Sequence, residues 1–426
     1  MPQRAAVLED YLASENPLAA QYAQTRLFTE ELCKPLNTED YVIQSMPDVS
    51  PAKWHLAHTS WFFETFLLRP ALPDYQPFNP MYEYLFNSYY NAVGPQYCRP
   101  KRGLLSRPAV AEVYEYRAYV DEHMLRLLNE GVDSEREAVT ELGVHHEQQH
   151  QELLVTDNKH NFAVNPLRPV YKPQAWPAPK EGGPPMNWIS FEEGIRWIGH
   201  EGAAFAYDNE GPRHRVFLEA FALADRLVTC GEFLDFIEDG GYQRPELWLS
   251  DGWAAVRENQ WEAPLYWERD GAAWRIMTLH GLRPVDPAEP VSHISFYEAD
   301  AYATWAGARL PSEAEWEAGA ADTPIEGNFV DSGRLHPVPL AEAAPGLKQL
   351  FGDVWEWTQS AYAPYPGYSP APGALGEYNG KFMCNQMVLR GGSCATSQSH
   401  MRPTYRNFFP PDARWQFSGL RLARTA

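Results

Sequence analysis

The sequence predicts an α plus α+β protein: a four-helix bundle at the N-terminal end, then a loop-rich mixed domain. Three observations predict it. Up to about residue 162, apolar residues recur at three- and four-residue spacing, the period of helices with one buried face. Residues 163–188 are rich in proline and tipped with glycine, which suits a linker. From residue 189 to 426 the pattern changes to short apolar runs, Gly/Pro turns and many tryptophans, the grammar of short strands with a few helices.

Four segments make up the expected bundle. One lies near the N-terminus. The second is "SPAKWHLAHTSWFFETFLL", with Ser50 as N-cap and Pro51 at the first helical position. The third runs from Glu112 to Glu130 and the fourth from Ser134 to Asp157, both with helical periodicity. In the second half, "EADAYATWAG" reads as one of the short helices.

Composition narrows the function. A formal net charge of −21 argues against a nucleic-acid partner, because a phosphate backbone needs a basic surface. No run approaches the roughly 20 apolar residues of a membrane span, and the N-terminus lacks the apolar core of a signal peptide. Cys33, Cys98, Cys230, Cys384 and Cys394 are scattered and odd in number, as expected of reduced thiols in a cytoplasmic protein.

The stretch "HHEQQHQE" (145–152) carries the strongest chemical signal. Residues four apart share a helix face, so His146 and His150 pair up while His145 points elsewhere. Their stripe also contains Val139, Leu142, Gln149 and Leu153, which places both histidines toward the bundle core. On the earlier helix, Trp54, His58, Trp61, Phe62 and Leu68 form a stripe in which His58 stands where a leucine would be expected. His55 competes with His58 but lies nearer the stripe's edge. One histidine on an apolar face is ordinarily a hydrogen-bonded core residue. Three buried on facing helices are costly unless a shared partner takes up their lone pairs, and a metal does so. Three neutral nitrogens with open positions suit Zn(II) or Fe(II), and spacing does not decide between them. Glu152, nearly opposite His150 on the wheel, suits orienting a neighbouring group better than ligation.

The ordered set "SPAKWHLAHTSWFFETF", "FNSYYNAVGPQYCRPKRGLLSRP", "HHEQQHQELL" and "RLPSEAEWE…GDVWEWT…VLRGGS…SGLRLAR" closely resembles the ergothioneine-pathway sulfoxide synthases. The resemblance covers nearly the whole chain. It implies a DinB-like four-helix bundle followed by a C-type-lectin-like domain of the sulfatase-modifying-factor (formylglycine-generating-enzyme) type. It implies a nonheme Fe(II) held by His58, His146 and His150, the same trio that the wheel selects. It further implies that O2 is used to join a thiol to the imidazole C2 of hercynine, the Nα-trimethylated histidine, leaving a sulfoxide.

By the same resemblance, Gln149 and Asn407 of "YRNFFPPD" contact hercynine, and Arg99 and Arg102 of "CRPKRG" bind the thiol's carboxylate. Arginine offers a planar two-pronged donor for that task. Phe408 and Phe409 can face a quaternary ammonium by cation–π attraction, or simply pack. For the proton donor, one family branch uses a tyrosine from the loop before "RGGS". Here Tyr378 is kept but Leu375 stands three positions before it, so the role is assigned to Tyr89 or Tyr90 of "NSYYN". Leu375 and Phe409 depart from relatives that take γ-glutamylcysteine, and free cysteine is therefore the preferred thiol. Two alternatives remain: a related hercynine-dependent synthase with a selenium-sugar nucleophile, and a zinc-dependent bundle thiol transferase. A formylglycine-generating oxidase does not fit, because Thr396 and Met401 occupy the positions of its cysteine pair.

Overall fold

The computed structural model describes residues 8–179, 182–341 and 345–425. The chain divides into two compact units, and each is described by itself. The first runs up to Pro166 and also includes Ala371–Tyr378; the second comprises Leu167–Pro370 and Asn379–Ala426.

Four long helices build the first unit: α1 (Pro17–Cys33), α2 (Ala52–Phe63), α3 (Val110–Glu130) and α4 (Ser134–Val164). Each start has a local cause. Asn16 caps α1 by accepting from the amides of Leu18 and Ala19, with Pro17 in the first turn. Glu112 reaches back to the amide of Ala109 at the head of α3, and Asp133 caps α4 through the amide of Arg136. Helix α2 begins one residue later than the sequence predicts. Pro51 occupies the cap position, and Ser50 instead donates its amide to Asp157. After Phe63 the chain widens into a π turn, Glu64–Leu68.

Every residue of α2 is buried, and α4 is buried around most of its middle. Close approach of the two depends on Gly143, where a Cβ would meet the Phe63 ring at 2.4 Å. Two polar clusters share the interior. One is an ion network joining all four helices. Arg26 reaches Asp121 (2.7 Å), Glu147 (2.8 Å) and Ser60 (2.8 Å), while Arg117 reaches Glu147 (3.0 Å). Tyr22 adds a bond to Asp121 and Thr29 one to Glu147. The other cluster is the histidine group described below.

In the second unit, β1 (Trp188–Phe191), β2 (Phe221–Ala224) and β7 (Ala423–Thr425) form an antiparallel sheet around a core of Leu218, Phe221, Leu223 and Ala423. A four-stranded sheet runs in the order β5 (Asn407–Phe409), β4 (Met387–Arg390), β3 (Trp355–Ala361), β6 (Ser418–Gly419). Its register pairs Leu389 with Asn407 and Val388 with Phe408. The helices α5 (Cys230–Glu238), α6 (Phe296–Trp305) and α7 (Glu313–Ala320) all start at capping boxes, Thr229/Glu232, Ser295/Glu298 and Ser312/Glu315. Buried pairs Arg421–Glu356 (2.9 Å) and Arg390–Glu317 (2.8 Å) tie strands to loops and to α7. The five cysteines are free thiols, and no described helix is long and apolar enough to cross a membrane.

Candidate metal centre

His58 comes from the middle of α2, and His146 and His150 come from successive turns of α4. One nitrogen from each lies within 4.8 Å of the others. The Nε2 atoms of His58 and His146 are 3.2 Å apart. Two ligands on one ion at roughly 2.0–2.1 Å have about that separation. The three side chains are 0%, 1% and 9% exposed. Among the described residues this is the one group of three or more His, Cys, Asp or Glu arranged to hold a metal.

Burial sets their protonation. It is the main cause that pushes His146 down to about 3, and it pushes His58 and His150 well below the ordinary histidine value, helped by the neighbouring imidazoles. All three are therefore neutral near pH 7 and offer lone pairs. Their surroundings are aromatic. Trp54 stacks on His58 at 4.6 Å and Trp61 does so at 5.4 Å, while Phe62 lies 4.6 Å from His146. The Nδ1–H of His58 donates to the carbonyl of Phe86 at 2.6 Å, which points its Nε2 lone pair toward the other two rings. A divalent ion with open positions fits this donor set, and His58, His146 and His150 are the residues that would hold it.

The first unit gathers several more of the expected residues around the trio. Arg102 is 3% exposed; its guanidinium lies 3.3 Å over the Trp54 indole, and it donates to Ser50 Oγ at 2.9 Å. Burial, with Arg99 adding to it, pulls this guanidinium well below its ordinary value. Among the described residues no carboxylate forms a salt bridge with Arg102. Arg99 is exposed and donates to the carbonyl of Asp48. Tyr90 is buried against Trp61 and Phe66, and Tyr89 stacks on it at 4.6 Å.

Tyr378, set aside on sequence, belongs to the first unit with the rest of Ala371–Tyr378. Its hydroxyl donates to Gln149 Oε1, and its ring lies 5.7 Å from that of His146 and 6.4 Å from that of Tyr89. The Leu375 departure therefore did not displace this tyrosine. Glu377 beside it accepts from the amides of Asn91 and Ala92, fastening the segment to the "NSYYN" loop.

His55 is a second residue that sequence reasoning undervalued. It is 3% exposed, and its Nδ1 lies 2.9 Å from Nδ1 of His150. In the second unit, Asn407 uses its Oδ1 to accept the amide of Phe408 at 2.9 Å. Phe408 is stacked on Tyr362 at 4.1 Å and 9°, and Phe409 packs edge-on to Trp415. Both phenylalanines thus have packing partners in their own unit.

Comparisons with known proteins place the chain in a family. Residues 21–154 match the DinB superfamily model, and residues 174–340 and 332–426 match the sulfatase-modifying factor enzyme 1-like domain. The chain is 33% identical to the hercynine oxygenase of Mycolicibacterium smegmatis over 89% of this chain and 92% of that one. It is 32% identical to the hercynine oxygenase of Mycobacterium tuberculosis over 97% and 99%. The chain belongs to the hercynine oxygenase family. As a member it is an enzyme of the oxidoreductase class, with a DinB-type bundle and a sulfatase-modifying-factor domain. Part of it, 52% of this chain, is also 29% identical to 28% of the ergothioneine biosynthesis protein 1 of Schizosaccharomyces pombe.

Proposed function

We propose that this chain is an Fe(II)- and O2-dependent sulfoxide synthase that joins a thiol, preferably cysteine and otherwise γ-glutamylcysteine, to the imidazole C2 of hercynine. The observation that carries the reading is the convergence of three neutral, buried imidazoles from α2 and α4 in a member of the hercynine oxygenase family. The stoichiometry closes. The thiol gives up its S–H and hercynine its C2–H; a C–S bond forms, one oxygen atom of O2 stays on sulfur, and the other leaves as water. That is a four-electron oxidation matched by the four-electron reduction of O2.

Iron, when bound, supplies the open positions and the redox chemistry for activating O2 and the thiol. The chain's own residues do the rest. Tyr378 supplies a hydroxyl beside the metal trio: it donates to Gln149, and its ring lies 5.7 Å from that of His146. It is therefore the preferred proton donor; Tyr89 meets its ring edge-on and stacks in turn on Tyr90. Gln149, adjacent to His150, presents its amide to hercynine. Asn407 keeps the role toward hercynine that the resemblance assigns to it, and Phe408 and Phe409 act as packing that shapes their own sheet. Arg102 is a buried guanidinium that forms no salt bridge with a carboxylate among the described residues, which suits it to take the thiol substrate's carboxylate; Arg99 adds charge next to it.

The test is made on protein loaded anaerobically with Fe(II). Hercynine and O2 are added with cysteine or γ-glutamylcysteine in separate reactions, and products are followed by mass spectrometry. A sulfoxide from cysteine supports the whole reading. A sulfoxide only from γ-glutamylcysteine keeps the reaction and changes the thiol. No sulfoxide from either overturns the proposal, and tight zinc with oxygen-independent thiol transfer would replace it.

A further inference from the structure

His58, His146 and His150 differ in what holds their second ring nitrogen. His58 Nδ1 meets the neutral carbonyl of Phe86. His146 Nδ1 is buried with no hydrogen-bond partner among the described residues. His150 Nδ1 lies 2.9 Å from Nδ1 of His55, and the far nitrogen of His55, Nε2, lies 2.9 Å from Asp157 Oδ2. Asp157 is 2% exposed, and the same Oδ2 accepts the amide of Ser50 at 2.8 Å. Asp157 stands two turns beyond His150 on α4, and His55 stands on α2, so the chain of contacts crosses between the two helices that carry the trio.

The chemistry of the three groups gives this chain one direction. A carboxylate only accepts, so the proton between Asp157 and His55 sits on His55 Nε2. With its proton on Nε2, the His55 ring carries a lone pair on Nδ1, which accepts from His150 Nδ1–H. The remaining lone pair of His150 is on Nε2, the nitrogen free to face His58 and His146. We propose that Asp157 and His55 are positioning residues that fix the tautomer of His150 and make it the most electron-rich of the three metal-holding imidazoles. The proposal rests on the metal reading of the trio. A carboxylate linked to a ligand histidine raises that ligand's basicity and orients its ring, and losing such a partner costs about 10–100-fold in metal affinity or activity. Here the link passes through a second imidazole, and it serves one ligand of three, so the donor set is electronically lopsided.

The test uses the full chain, with Co(II) as a coloured probe and Fe(II) in parallel, titrated against a competing chelator. His55→Leu removes the acceptor for His150 Nδ1–H. His55→Asn returns an amide oxygen near where Nδ1 stood. Asp157→Asn keeps the shape and the acceptor oxygen but drops the charge. The expected result is an affinity loss of about 10–100-fold in His55→Leu, a shift of its Co(II) visible bands, recovery of both in His55→Asn, and a smaller loss in Asp157→Asn. Unfolding of the metal-free proteins is measured alongside. A merely structural role would lower metal-free stability and leave the Co(II) bands of the folded fraction unchanged, and that result would overturn the proposal. Wild-type affinity and spectrum in both His55→Leu and Asp157→Asn would also overturn it. If His55→Leu does not fold, Asp157→Asn and His55→Asn decide by the same two readouts. Failure of the wild-type chain to bind either metal would sink the metal reading itself, and this inference with it.

Discussion

Replacing Glu147 by glutamine removes the one carboxylate shared by Arg26 and Arg117, at a place where all three side chains are fully buried. Arg26 keeps Asp121 at 2.7 Å, but Arg117 is left with Glu30 at the longer distance of 3.7 Å. The glutamine amide also turns one acceptor into a donor that faces a guanidinium. Removing one partner of a buried pair costs about 3–5 kcal/mol. At about 2–4 °C per kcal/mol for a unit of this size, the melting temperature should fall by roughly 6–20 °C. The assay is thermal unfolding of the metal-free protein by circular dichroism, repeated in a urea titration. The pH dependence carries a sign. Burial pushes the Glu147 carboxyl up, yet Arg26 and Arg117 outweigh it and hold it below the ordinary carboxylate value. Its contribution is therefore present above the unfolded value of about 4.3 and is lost as pH falls through the depressed folded value, so the gap between wild type and variant should narrow in acid. A loss below about 1 kcal/mol would refute the reasoning, since that is what an exposed pair gives. So would a double change, Arg117→Met with Glu147→Gln, that proved more damaging than the single one, because it removes the guanidinium that the single change strands.

Other outcomes follow from the same geometry. Tyr378→Phe should lower the rate of sulfoxide formation by about 10²–10⁴-fold, the usual worth of a positioned proton donor, while hercynine binding measured by calorimetry changes little; an unchanged rate would return the role to Tyr89 or Tyr90. Arg102→Met should raise the KM for the thiol and leave hercynine affinity intact, whereas equal weakening of both substrates would show that Arg102 only supports Trp54. In the metal-free protein the trio's low folded values mean that its stabilising contribution is present above about pH 6.5 and is lost as pH falls below that. His146, at about 3 in the fold, accounts for about 2 kcal/mol of loss at pH 5, so a urea midpoint that does not move between pH 7.5 and 5 would contradict the burial argument.

Much of the bundle was legible because its helices keep a simple period and two of them interrupt that period with histidine. Helix-wheel reasoning found His58, His146 and His150, but it assumed that each helix has an outer face. Helix α2 has none, since all twelve of its residues are buried, and the supposed edge position of His55 is interior. Helix α4 likewise turns His146 and His150 to the histidine trio and Glu147 to the ion network, so polar residues on both sides of it are buried for different reasons. Ser50 was misplaced by one residue because Pro51 can itself stand at the cap, where no amide hydrogen is needed. Tyr378 and Asp157 were out of reach for another reason: their partners, Gln149 and His55, are 229 and 102 residues away in sequence. No local pattern encodes pairings at that range.

The run Ala371–Tyr378 makes the first unit a composite of two distant stretches of gene. Cutting the protein after Pro166 would yield the histidines without the hydroxyl that meets Gln149, so the bundle is not a self-sufficient module even though its helices are contiguous. Recombination between relatives that exchanged only their C-terminal halves would set the inherited histidine trio beside whichever side chain the donor carries at the position of Tyr378. Eight residues of surface-loop length, far along the chain, thus belong with the bundle.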